Sequence, residues 1–235
     1  MNDIWQAFST ALDLIIGLDA DLLEIIALSL TVSLSAVAIA ALIGLPAGAA
    51  LALYSFPGRR FLVVLTNMLM GMPPVVIGLI VYLLLSRSGP FGVFGLLFTP
   101  AAMIIAQVLL VTPIIAALSR QVIADMHEEY ADQLSSLNVT PFGRLRALLW
   151  DGRFALLTAV LAGFGRASAE VGAVMIVGGN IDHVTRVMTT AIALEASKGA
   201  LSMALGLGLV LLTLSFGINF AAFSVNEAAR RRHAL

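Results

Sequence analysis

Residues 23–53 read LEIIALSLTVSLSAVAIAALIGLPAGAALAL and carry one charge, Glu24. About 20 apolar residues in a helix cross the roughly 30 Å of a bilayer's hydrocarbon, so this stretch is long enough to span and to continue into water. The pattern repeats outward from it. Residues 62–85, 97–118, 154–178 and 201–225 are further apolar runs of spanning length, and the whole chain of 235 residues is 60% hydrophobic and 11% charged, with mean hydropathy +1.02. Soluble domains do not reach such values. The expected fold is an all-α membrane protein of about five transmembrane helices, forming one transmembrane domain over residues 1–235. Gly44-Leu-Pro46 is expected to kink the first span or to start a second helical piece.

The flanks of these runs carry the rest of the layout. Residues 1–21 contain acids and only moderate hydrophobicity, without the positive leading segment of a signal peptide; they read as an interfacial amphipathic helix. Basic residues accumulate on the cytoplasmic side of a membrane. An outside N-terminus and an inside C-terminus put Arg59, Arg60, Arg120, Arg144, Arg146, Arg153 and Arg230 to Arg232 in the cytoplasm, leaving Arg87, Arg186 and Lys198 outside. The net charge of −1 points to no nucleic-acid partner. The absence of cysteine excludes disulfides and thiolate metal sites.

One polar stretch interrupts the apolar chain, and the sidedness places it in the cytoplasm. Over residues 125–153, Tyr130, Leu134, Leu137, Phe142, Leu145, Leu148 and Leu149 recur at roughly helical spacing with charges between them. Asn138-Val-Thr-Pro141 breaks that period: Asn138 suits a left-handed helix end, and Thr140-Pro141 an N-cap followed by proline at the first helical position. Two short helices joined by a tight turn are expected. From the residues alone, an amphipathic loop lying on the membrane surface is an equal reading.

Permeases of binding-protein-dependent ABC importers carry, between late transmembrane helices, a cytoplasmic helix–turn–helix with an E-A-A-x-x-x-G consensus. In that register Asp132-Gln-Leu134 takes the place of E-A-A, Asn138 that of the glycine, and Pro141-Phe142 that of the following small residue and aromatic. Gln133 and Leu134 depart from the small residues of the consensus, and Asp151 from its terminal proline. Thr31-Val-Ser-Leu-Ser-Ala-Val37, Gly44-Leu-Pro-Ala-Gly48, Phe56-Pro-Gly-Arg-Arg60, Gly71-Met-Pro-Pro-Val-Val-Ile-Gly78 and Ser88-Gly-Pro-Phe-Gly92 resemble permeases of the molybdate, tungstate and sulfate importers. Residues 163–199, GFGRASAEVGAVMIVGGNIDHVTRVMTTAIALEASKG, resemble the tungstate type most. The likeness runs from about Leu30 to Asn219.

This resemblance implies the importer-permease (MetI-like) fold in a bacterial or archaeal cell membrane, with cytoplasmic coupling helices over residues 125–153. It implies a second permease copy, a cytoplasmic ABC ATPase dimer that binds ATP-Mg, and an extracytoplasmic oxyanion-binding protein. Tyr130, Asp132, Leu134, Leu137, Asn138, Pro141, Phe142 and Leu145 would form the ATPase docking surface. The cargo would be a tetrahedral oxyanion, tungstate first and molybdate or sulfate as alternatives.

The chemistry of the remaining residues agrees with a transport subunit rather than an enzyme. No G-x-x-x-x-G-K-[ST] loop surrounds Lys198, the single lysine, so a partner chain would hydrolyse any ATP. His127, His183 and His233 lack metal-site spacing, and no G-x-S-x-G occurs; no catalytic or metal site and no cofactor is expected on this chain. Arg166 and Glu170 are the ionisable pair inside a run. Four apart on one helix, they form either a packing ion pair or a compensated cation along the path of the anion. Gly163, Gly165 and Gly172 with Ala162, Ala167, Ala169 and Ala173 make a small-residue face that suits either a second copy or packing within the subunit. Pro73 and Pro74 free backbone carbonyls, giving a discontinuity at the path or a plain kink. Residues 178–180 end the fourth run, and 187–196 are helical but too short to span. A self-contained secondary transporter is the main competing reading, which inverted repeats and coupling-ion sites would support; none is evident. An intramembrane enzyme is the third.

Overall fold

The computed structural model describes Trp5, Ser9 and residues 20–233. The interfacial helix expected over residues 1–21 falls outside these, apart from Trp5, Ser9, Ala20 and Asp21. Helices account for the chain's architecture. They are α1 (Ala20–Leu53), α2 (Arg59–Met70), α3 (Pro74–Leu85), α4 (Pro100–Glu129), α5 (Ala131–Ser136), α6 (Pro141–Asp151), α7 (Arg153–Ser168), α8 (Gly172–Gly178), α9 (Met188–Ser197) and α10 (Leu201–His233), with a 3₁₀ turn at Gly92–Phe94.

Among the described residues α1, α4 and α10 are each long and apolar enough to cross a membrane, and two bent helix pairs raise the number of spans to as many as five. At 1.5 Å per residue the 34 residues of α1 reach about 51 Å, well beyond the hydrocarbon.

The structure bears on three expectations about these runs. Gly44-Leu-Pro46 does not interrupt α1, which runs unbroken through Pro46. Its glycines serve contact instead. A Cβ on Gly48 would stand 2.2 Å from the Ala116 carbonyl oxygen, and one on Gly44 3.1 Å from Ile115 Cβ, so α1 and α4 meet backbone to backbone. Ser119 Oγ donates to the Leu45 carbonyl at 3.0 Å across the same seam. Close approach of this kind replaces the hydrophobic driving force that lipid does not supply.

Residues 62–85 are not one straight span. Gly71-Met-Pro-Pro74 separates α2 from α3 with a bend of 102°, because Gly71 ends α2 and Pro74 opens α3. The run 154–178 is also broken: α7 stops at Ser168, and α8 starts at Gly172. Arg166 is therefore in α7 while Glu170 lies in the break, which corrects the assignment of both to one helix.

Turns elsewhere follow local chemistry. Thr99 and Thr140 occupy N-cap positions before Pro100 and Pro141, and Gly179 ends α8 at φ 73°. The end of α1 is closed by Arg59, whose guanidinium donates to the carbonyls of Leu51 and Ala52 at 2.7 and 3.3 Å. Core packing is continuous along α1 and α4. Near one end Val32, Val81, Met103, Val174 and Val177 are buried together; near the other Ala49, Ile123, Leu148 and Leu156 form a cluster that includes the polar segment's helices.

Candidate functional site

The polar segment folds as its turn chemistry requires. Asn138 is left-handed at φ 50°, Thr140 Oγ1 accepts the Gly143 amide at 3.2 Å, and Pro141 begins α6. The hydroxyl of Tyr54 donates to the Pro141 carbonyl at 3.2 Å, which ties the start of α6 to the chain just past α1. Side chains then divide by face. Tyr130, Leu134, Leu145 and Leu149 pack against the buried Ile123, Leu148 and Leu156, so three of the candidate docking residues hold the segment to the bundle.

The other candidates point away from it. Leu137 and Phe142 are 73% and 70% exposed, and Asp132, Asn138 and Pro141 are exposed beside them. Both apolar side chains are thus left largely uncovered by the rest of the subunit. Trp150, 66% exposed, belongs to the same surface and was missing from the sequence-derived set. It follows Phe142 and Arg146 at four-residue steps, a spacing that identifies it. These three residues and Leu149 border an open groove of about 840 Å³ that reaches Pro46 of α1. Arg153 lies over the Trp150 ring, 4.7 Å from its centroid.

The second constellation is the break between α7 and α8. Arg166 Nη1 meets Glu170 Oε2 at 3.1 Å, with 34% of the arginine side chain exposed and 2% of the glutamate's. Glu170 Oε1 accepts the Ala173 amide at 3.0 Å, capping α8, and the Glu170 carbonyl accepts Thr189 Oγ1 from α9 at 2.8 Å. Gln107 of α4, 3% exposed, donates to the Ala167 carbonyl at 3.2 Å. Behind these groups lies a cavity of about 30 Å³, lined by Gln107, Ser168, Glu170 and Thr189 together with α1 and α10. Gln107 Oε1 and Ser168 Oγ, which have no protein partner, belong to residues that line it.

The proline break is brought to the same place. A Cβ on Gly78 would stand 2.8 Å from Ala173 Cα, and one on Gly172 would stand 3.0 Å from Val75 Cγ2 and 3.7 Å from Glu170 Oε1. The first turns of α3 therefore lie beside the start of α8, next to Glu170. Gln107 and Thr189 also escaped the sequence-derived set. Each is a polar residue among apolar neighbours, but what it holds lies 60 or 19 residues away.

The small-residue face is only partly used in packing within the subunit. Gly163, Ala167 and Ala173 are buried inside the subunit, Gly163 against Val111 and Ile115. Ala162, Gly165 and Ala169 are exposed, and a Cβ on Gly165 would meet nothing. With Ala155 and Thr158, also exposed, they form a narrow strip along α7 beside Arg166.

At the opposite end of the bundle from α6, His183 Nδ1 lies 2.8 Å from Glu24 Oε2, and Arg186 pairs with Asp182 at 2.5 Å. The hydrogen bond to Glu24 raises the imidazole above its ordinary 6.5, with the charges of Glu24, Asp182 and Asp21 adding to it. Met188 N donates to Ser29 Oγ at 2.8 Å, so the loop into α9 is tied twice to α1.

Comparison with known proteins identifies the architecture. The probable anion ABC transporter permease protein of Haloferax volcanii is 41% identical over 203 residues, 84% of this chain and 88% of its own. The tungstate uptake system permease protein TupB of Peptoclostridium acidaminophilum is 40% identical over 97% of this chain and 100% of its own, and that of Campylobacter jejuni 38% over 94% and 92%. Residues 44–232 match the family of binding-protein-dependent transport system inner membrane components. With its unbroken and bent apolar helices and an amphipathic segment at one end, this chain belongs to that family of ABC importer permeases.

Proposed function

We propose that two copies of this chain form the membrane passage of an importer for tungstate or a closely related tetrahedral oxyanion. A separate ATPase dimer, holding ATP-Mg, powers it, and an extracytoplasmic binding protein delivers the anion. The observation that carries this reading is the 40% identity to a tungstate uptake permease across 97% of the chain. The arginine distribution supports an outside N-terminus: Arg59, Arg144, Arg146 and Arg153 lie with α6, and Arg186 lies at the other end with Glu24 and Asp182. In this orientation α5 and α6 face the cytoplasm.

The exposed side of that segment, from Asp132 and Leu137 through Asn138, Pro141 and Phe142 to Trp150, docks the ATPase, while Tyr130, Leu134 and Leu145 transmit its movement to α1 and α4. The exposed strip of α7 faces the second copy. A partly exposed arginine at membrane depth is costly against lipid, whereas between two copies it borders a watered path. Arg166, compensated by Glu170 and flanked by the Pro73-Pro74 break, lines that path. The test is uptake by proteoliposomes holding the chain with its ATPase and binding protein, measured for tungstate, molybdate and sulfate. ATP-dependent tungstate uptake supports the reading; uptake of sulfate alone would replace the substrate.

A further inference from the structure

Glu170 occupies the gap in which α7 has ended and α8 has not begun. A buried carboxylate at this depth is costly unless its oxygens are satisfied. Both are, and from different elements: Oε2 by Arg166 of α7 at 3.1 Å, and Oε1 by the Ala173 amide of α8 at 3.0 Å. The residue's carbonyl is held from α9 by Thr189 at 2.8 Å, and the neighbouring Ala167 carbonyl from α4 by Gln107 at 3.2 Å. The carboxylate is thus anchored by the Ala173 amide, and the backbone that carries it by Thr189 and Gln107. Arg166, in contrast, leaves 34% of its side chain exposed and makes no other ion pair among the described residues. An arginine side chain has many rotamers, and pairing with a fixed carboxylate removes most of that freedom.

We propose that Glu170 is a positioning residue for anion passage, holding the Arg166 guanidinium at one point on the exposed face of α7 and offsetting its charge. Rotation out of the path is prevented by the anchored carboxylate, and retention of the oxyanion by its charge. A site that conducts must release what it attracts. This rests on Arg166 lining the path, as proposed above. A capping role alone would require only an acceptor for the Ala173 amide, which a glutamine supplies.

The test uses the purified permease–ATPase complex without binding protein, so that tungstate held by the membrane subunit is read directly by equilibrium dialysis. Turnover is measured in parallel in the complete reconstituted importer. Glu170→Gln is expected to bind tungstate about tenfold more tightly, the effect of about 1.4 kcal/mol, and to transport it more slowly. Adding Arg166→Gln should abolish that gain. Unchanged tungstate affinity in Glu170→Gln, or a gain that survives in the double variant, would overturn the proposal. Wild-type transport by Arg166→Gln alone would instead overturn the path reading beneath it. If Glu170→Gln fails to assemble, Thr189→Val keeps both charges and cuts the tether from α9. It should slow turnover about threefold or more at unchanged assembly, and wild-type turnover would count against the proposal.

Discussion

Two residues show how closely single positions are constrained. Gly48 lies where α1 and α4 touch, and the 2.2 Å between an added Cβ and the Ala116 carbonyl oxygen leaves no side chain to yield; the backbones must separate. Overpacking of this kind costs about 1–3 kcal/mol or more. Gly48→Ala should lower the thermal midpoint of the detergent-solubilised protein, while Gly208→Ala, where a Cβ meets nothing, should leave it near wild type. Asn138 is held left-handed at φ 50°, a conformation that glycine adopts freely and β-branched residues resist. Asn138→Gly should be tolerated, and Asn138→Val should destabilise the turn by about 1–2 kcal/mol, seen as faster amide exchange in α5 and α6. Asn138, Thr140 and Pro141 were legible because their chemistry is local. Glu170 was legible only as half of an ion pair, since its capping bond and its tie to Thr189 depend on how the chain returns.

Helical elements were legible in proportion to how far their causes lie in the chain. Gly71-Met-Pro-Pro74 announces a discontinuity, but its 102° bend depends on α3 lying against α8 through Gly78 and Ala173. The break after Ser168 contains no proline at all and is set by Glu170, Gln107 and Thr189 from three directions. Pro46 illustrates the converse. It does not end α1, which continues to Leu53 with α4 packed along it. The amphipathic segment makes the clearest functional prediction at this scale: Leu137→Asp/Phe142→Asp alters two exposed side chains, so it should insert and fold normally yet fail to co-purify with the ATPase. Normal co-purification would remove the docking assignment. The loop before α9 should respond to pH. Because pairing with Glu24 raises His183 above 6.5, its stabilising contact is fully present below that value and lost as pH rises through the elevated one. Protection of the amides in residues 181–187, taken relative to their intrinsic base-catalysed exchange at each pH, should therefore fall on going from acidic to alkaline conditions. His183→Gln should remove that dependence.

As a whole, the molecule is divided between one end that exposes apolar side chains around α5 and α6 and an opposite end that fastens the loop into α9 onto α1. Between them, the first turns of α3 lie against the start of α8, and Arg166 and Glu170 pair in the break before it, beside a strip of small exposed residues on α7. In the proposed dimer a second copy covers this strip. The competing account, a self-contained transporter, requires a coupling-ion gradient and no ATPase. The two diverge in one experiment: tungstate accumulation by sealed proteoliposomes containing this chain, its ATPase and its binding protein, with ATP supplied on the ATPase side and no ion gradient. Accumulation that requires ATP and disappears when the ATPase is omitted is the expected result. Accumulation that persists without ATPase and follows an imposed ion gradient would contradict the account.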